Sequence, residues 1–129
     1  MEQKVKVVIA DDSAIIRERV RAVLEESPHI EVVGEVEDGP AAVESMHLYH
    51  PDALILDVSM PGGGGMAALK EIKQVRPLVV VIMLTNHPYP SYRKMAMEAG
   101  AAHFLDKSKE FEQVRHIVDA LMPVCGHAG

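Results

Sequence analysis

Five residues of this chain have the types and the spacing for phosphoryl chemistry: Asp11, Asp12, Asp57, Thr85 and Lys107. Each stands at the end of a short apolar run or just beyond it. Asp11 and Asp12 follow "VKVVIA" (5–10), and Asp57 closes "DALILD" (52–57). Thr85 closes "LVVVIMLT" (78–85), and Lys107 follows "AHFLD" (102–106). Three carboxylates in one pocket repel each other unless protons or cations compensate. Lys107 supplies one positive charge. A hard divalent cation would supply the rest, and Mg²⁺ suits a site of a few carboxylates and several retained waters. A carboxylate beside Mg²⁺, a Lys and a hydroxyl is set up for phosphoryl transfer. The carboxylate attacks, the two cations stabilise the equatorial oxygens, and the product is an acyl phosphate. Thr85 can donate a hydrogen bond to a phosphoryl oxygen. Taken singly these residues are ordinary: an acid pair suits any helix N-terminus, and strand-end hydroxyls and loop lysines are common.

The elements between them must gather these residues in one place. Continuous, β-branched apolar runs at 5–10, 30–36, 52–57, 78–85 and 102–106 predict buried strands. Amphipathic stretches at 13–27, 41–50, 66–76, 92–100 and 111–122 predict helices. Ser13 is the expected N-cap of the first helix, whose inner face carries Ile16, Val20, Val23 and Leu24. Asp38-Gly39-Pro40 reads as a turn, and Pro51 and Pro77 stop the second and third helices. Phe111, Val114, Ile117, Val118 and Leu121 form the expected inner stripe of the fifth. Five strand–helix repeats predict an α/β fold: a doubly wound, five-stranded parallel sheet with helices on both faces. In such a sheet ligands bind outside the carboxyl ends of the strands. Four of the five strand ends deliver polar side chains to that rim, and the second strand lies at an edge.

The bulk numbers agree with this. A chain of 129 residues suits one domain, expected over 1–122, with a short frayed tail at 123–129. The net charge of −6, with no basic cluster, argues against a nucleic-acid surface. A single cysteine fits a reducing compartment. No apolar run approaches the ~18 residues of a membrane span. A cytoplasmic protein without membrane contact is the expectation.

"VVIADDS", "ALILDVSMPG", "VIMLT" and "AHFLDKS", in this order and spacing, resemble the receiver domain of two-component response regulators. The resemblance runs over roughly residues 5–122 and implies the flavodoxin-like strand order 2-1-3-4-5. It implies that Asp11 and Asp12 hold Mg²⁺ together with Asp57 and the backbone carbonyl of Ser59. Asp57 would take a phosphoryl group from a sensor histidine kinase or a phosphotransfer protein. Thr85 and Lys107 would contact the phosphoryl oxygens, and Phe104 would change rotamer when Thr85 moves. The face of the fourth helix, fifth strand and fifth helix would then change and be read by a downstream protein or a second receiver. Ser59 and His87 stand where receivers tune the lifetime of the phosphoryl group.

Three features depart from the family pattern. Ser108 follows Lys107 where a proline is common. Asn86 is larger than the usual small residue and would narrow access to Asp57. The run Gly62–Gly65 reads as unusually loose. Two other functions compete with a phosphorylation switch. One is the receiver of a longer DNA-binding transcription regulator, against which the tail shows no linker or DNA-binding helix pair. The other is a Mg²⁺-dependent phosphatase with an Asp nucleophile, against which Ser59 is a poor general acid. A receiver-shaped scaffold that never takes phosphate is a third and weaker reading. The chain is therefore expected to be a phosphoacceptor rather than an enzyme.

Overall fold

The computed structural model of the protein describes residues 3–121. The strands are β1 (Val5–Ala10), β2 (Ile30–Val36), β3 (Ala53–Asp57), β4 (Val80–Thr85) and β5 (His103–Asp106). The helices are α1 (Ala14–Leu24), α2 (Gly39–Tyr49), α3 (Gly64–Val75), α4 (Pro90–Glu98) and α5 (Gln113–Asp119). All strand pairs are parallel, and the order across the sheet is β2-β1-β3-β4-β5. The expected α/β architecture and strand order are what the structure has. The expected tail at 123–129 lies outside the described residues.

The strands read as near-continuous apolar runs because both faces are covered. Their period of two sorts side chains between two cores. Val8, Ala10, Leu54, Leu56, Val81, Met83 and Phe104 pack against Ala42 and Met46 of α2, Ala68, Leu69 and Ile72 of α3, and Ala96 of α4. Val7, Ile9, Ala53, Ile55, Ile82, Leu84 and Leu105 pack against Val20, Val23 and Leu24 of α1 and Val114 and Val118 of α5. The second set has a consequence for the site. Continuing its rows by two residues leads from Ile9 to Asp11, from Ile55 to Asp57 and from Leu105 to Lys107. Thr85 continues the other row, after Val81 and Met83.

Helix boundaries depart from the sequence reading for local reasons. Ser13 does cap α1, its side chain accepting from the Ile16 N–H, but the helix ends at Leu24. Gly39 and Pro40 are the first turn of α2 rather than a turn before it. Asp38 is the N-cap, accepting from the Ala41 N–H at 2.7 Å, and proline is tolerated there because its missing N–H would have no partner. For the same reason α4 starts at Pro90. Phe111 is buried but sits in the turn before α5, and Ile117 and Leu121 are only partly buried against the same core.

The glycine run is not the slack loop that composition suggests. Gly62, Gly63 and Gly64 have φ of 79°, 98° and 81°, a region that residues with a Cβ rarely adopt. Gly65 donates its N–H to Val58 O at 2.8 Å, and a Cβ there would lie 2.0 Å from the Asp57 carbonyl oxygen. The Gly39 N–H also bonds to Pro61 O at 3.2 Å, so α2 holds the loop from its other side. The glycines bring the start of α3 tight under the end of β3.

Candidate functional site

The carboxyl ends of β1, β3 and β5 converge on a cleft of about 270 Å³. Asp11, Asp12, Ser13, Ile16, Asp57, Ser59, Asn86, His87 and Lys107 line it. Of the residues expected from the sequence, the cleft gathers the three acids, the lysine, Ser59, Asn86 and His87. It does not take in Thr85 or Phe104, both of which are buried. Ser13 and Ile16 were not among the expected site residues. Their position two and five residues after Asp11, at the N-cap and in the first turn of α1, is the signal that could have found them.

Lys107 ties the site together. Its Nζ lies 2.7 Å from Asp11 Oδ2 and 3.2 Å from Asp57 Oδ1. All three residues are buried, Lys107 at 7% exposure. A buried cation between two buried carboxylates offsets their mutual repulsion only if the remaining lone pairs are also satisfied. The Ser13 N–H reaches Asp11 Oδ1 at 2.9 Å, and the Ser59 N–H reaches Asp57 Oδ1 at 3.3 Å. Asp12 is exposed at the rim. Asp11, Asp12 and Asp57 each offer an oxygen within 4.8 Å of the others. An all-oxygen carboxylate set with one open, wet side fits a hard divalent cation of the Mg²⁺ kind.

Burial pushes the Asp57 carboxyl above the ordinary carboxylate range. Lys107 opposes that shift, and the charge of Asp11 adds to it. The consequence for stability has a definite sign. A carboxyl whose folded pKa is raised favours folding below its unfolded pKa, and that contribution disappears as pH climbs through the folded value. In chelator, Asp57→Asn is therefore expected to be more stable than the wild type at neutral pH. The gap should close as pH falls into the carboxylate range, because the wild-type carboxyl then becomes neutral as well. Urea unfolding at a series of pH values measures this, and a gap that widens on acidification would contradict it.

Thr85 does not face the cleft because it follows the row of Met83. Its Oγ1 accepts the His87 N–H at 2.9 Å, a Ser/Thr-type turn that sequence alone can suggest. The hydroxyl hydrogen remains available to a new acceptor. His87 stacks on Tyr89 with ring centroids 5.8 Å apart, and Tyr89 meets Tyr92 of α4 at 5.4 Å. Phe104 is packed in the core, and its carbonyl accepts from Arg93 Nη1 of α4 at 3.1 Å. After Lys107 the backbone stays trans, as it does throughout the described residues. The Ser108 that replaces the common proline donates both its N–H (2.8 Å) and its hydroxyl (2.7 Å) to Asp106 Oδ1. These bonds hold the turn, and the Lys107 N–H bonds Thr85 O at 2.8 Å.

Residues 7–119 match the family described as the response regulator receiver domain. The chain belongs to this family. Phosphorylation and Mg²⁺ binding in two-component signalling are typical of it. The receiver is 37% identical over 109 residues to the transcriptional regulatory protein DegU of Brevibacillus brevis, covering 84% of this chain and 46% of that protein. It is 36% identical over 134 residues to a protein-glutamate methylesterase/protein-glutamine glutaminase of Alkalilimnicola ehrlichii, covering 98% of this chain and 34% of that one. The chain thus spans less than half the length of these two relatives. Among solved structures, it superposes on the signal receiver domain of the response regulator NarL from Mycobacterium tuberculosis with a TM-score of 0.84 at 34% identity. That superposition covers 90% of this chain and 94% of the other. No helix among the described residues is long and apolar enough to cross a membrane.

Proposed function

We propose that this receiver is a switch that takes a phosphoryl group onto Asp57 and does not itself turn over substrate. The observation that carries the reading is the buried pairing of Lys107 with both Asp11 and Asp57 beside an exposed third acid. One Asp57 oxygen attacks the phosphorus of a phosphohistidine, the P–N bond breaks, and the product is an acyl phosphate. Asp11, Asp12, Asp57 and the Ser59 carbonyl would hold Mg²⁺. When bound, that ion would neutralise charge on the carboxylates and on the phosphoryl oxygens. Lys107 keeps a cation against the attacked centre throughout. Ser59, Asn86 and His87 stand at the cleft, where they can set how readily water reaches the acyl phosphate.

The switch follows from the hydroxyl of Thr85. Turning it toward a phosphoryl oxygen on Asp57 exchanges the His87 N–H for a charged partner. Phe104, on the same face of the sheet, can then repack into the space that Thr85 vacates. Arg93 ties α4 to the Phe104 carbonyl, so the α4-β5-α5 face is positioned to respond. Phosphorylation would bias a two-state equilibrium of that face. The donor would be a sensor histidine kinase or phosphotransfer protein. The reader would be a downstream protein or a second receiver. The cytoplasm, where such donors and Mg²⁺ are available, fits this chemistry.

The test is intact mass after incubation with Mg²⁺ and a small acyl-phosphate donor. One added phosphoryl group, absent in chelator, is expected. Sustained release of phosphate from a phosphate monoester, many turnovers per chain, would instead establish a phosphatase.

A further inference from the structure

Arg17 lies on α1, outside the cleft lining, yet it reaches the site's backbone. Its Nη1 donates to the main-chain carbonyl oxygen of Asp11 at 2.7 Å. Its Nε donates to Glu35 Oε1 of β2 at 3.2 Å. The side chain is only 14% exposed. Arg21 Nε holds the other Glu35 oxygen at 2.7 Å, so the carboxylate that anchors Arg17 is itself fixed. The Asp11 N–H donates to Val36 O at 3.1 Å. Edge strand β2 thus grips Asp11 twice: directly through its N–H, and through Glu35 and Arg17 at its carbonyl.

That carbonyl belongs to the peptide joining Asp11 to Asp12. The Asp11 carboxylate has further restraints in Ser13 and Lys107. Asp12 is exposed, and among the described residues no hydrogen bond or ion pair fixes its carboxylate. Its aim depends on the peptide that Arg17 holds. We propose that Arg17, anchored by Glu35, is a positioning residue that sets the Mg²⁺ affinity of the Asp11, Asp12 and Asp57 site by fixing the Asp11–Asp12 peptide.

This rests on the proposed metal-holding role of the three acids, and two simpler roles make different predictions. If the ion pair only fastens α1 to β2, its loss lowers stability and leaves metal affinity alone. If Arg17 acts only through its charge, its loss removes a cation near the site and Mg²⁺ binds more tightly. Positioning predicts weaker binding. Orienting partners of metal ligands typically contribute 10–100-fold in affinity, and one that acts through the backbone belongs at about the lower end.

The experiment is calorimetric titration of Mg²⁺ into the full chain, with thermal unfolding in chelator run beside it. Arg17→Met is expected to raise the Kd about tenfold, and Glu35→Gln about threefold, because Arg17 keeps its bond to Asp11 but loses a charged anchor. Arg21→Met removes a Glu35 contact of similar geometry without touching Asp11, and its Kd should stay within about twofold. Unchanged or tighter binding in Arg17→Met overturns the proposal, as does an equal loss in Arg21→Met. If Arg17→Met does not fold, Glu35→Gln decides by the same comparison. Asp12→Asn separates the two levels of the argument. Its loss of affinity, with Arg17→Met unchanged, retains the metal site and rejects Arg17. A wild type and Asp12→Asn alike in taking up no Mg²⁺ reject both.

Discussion

Gly65→Ala is expected to destabilise the fold by about 3–5 kcal/mol, which is large for the addition of one methyl group. The added Cβ would lie 2.0 Å from the Asp57 carbonyl oxygen, 2.9 Å from the Asp57 carbonyl carbon and 3.0 Å from Val58 Cα. All three are backbone atoms, so no flexible side chain can swing aside. Relief requires either the start of α3 to lift, breaking the Gly65 N–H bond to Val58 O, or the end of β3 to shift. The second route moves Asp57 itself, so a folded Gly65→Ala protein that takes it should also lose phosphoryl uptake. Gly63→Ala is the internal comparison. Its Cβ would meet only Ala67 Cβ, at 3.6 Å, and its strain is that of a positive φ alone, about 1–2 kcal/mol. Urea unfolding of the two variants measures the difference. Equal losses would mean that conformational freedom, not the close approach to Asp57, is what position 65 requires.

Lys107→Met should have the other large effect, on stability and on chemistry together. It removes the ammonium 2.7 Å from Asp11 and 3.2 Å from Asp57 and leaves two buried carboxylates facing each other. Breaking a buried pair from one side costs about 3–5 kcal/mol, because the remaining charge keeps its desolvation penalty. In chelator at neutral pH the variant should unfold at markedly lower urea. Millimolar Mg²⁺ or mild acid should return part of the loss, since either neutralises the exposed repulsion. Phosphoryl uptake should fall by about 10²–10³-fold, the usual effect of deleting one stabilising group at a centre of developing charge. A variant as stable as the wild type, with uptake within a few-fold, would show that the lysine is incidental to the site.

How much of this was legible in the sequence depended on whether the cause was local. The strands were, because unbroken β-branched runs between breakers have few alternatives. The rim of polar strand ends was legible for the same reason: once the strands are parallel, Asp11, Asp57 and Lys107 must share an end of the sheet. Asp38, Gly39 and Pro40 were misread as a turn although the cap and the proline together are a helix-start signal. The glycine run was misread more deeply. Nothing near Gly65 announces that β3 and α3 approach so closely; that constraint comes from across the fold. Thr85 and Lys107 looked equivalent as site residues, yet the period of two places them on opposite faces of the sheet. The Arg17 fork was invisible because it connects an α1 side chain to a backbone carbonyl and to a strand eighteen residues away.

The most direct test of the central claim locates the phosphoryl group. Wild type and Asp57→Ala are each mixed with Mg²⁺ and a small acyl-phosphate donor, and their intact masses are compared. One added phosphoryl group in the wild type and none in Asp57→Ala is the expected result. Equal addition in both proteins would place the modification elsewhere and contradict the role given to Asp57. No addition in either, even with a histidine kinase as donor, would make the site a phosphate-free scaffold and set the account aside.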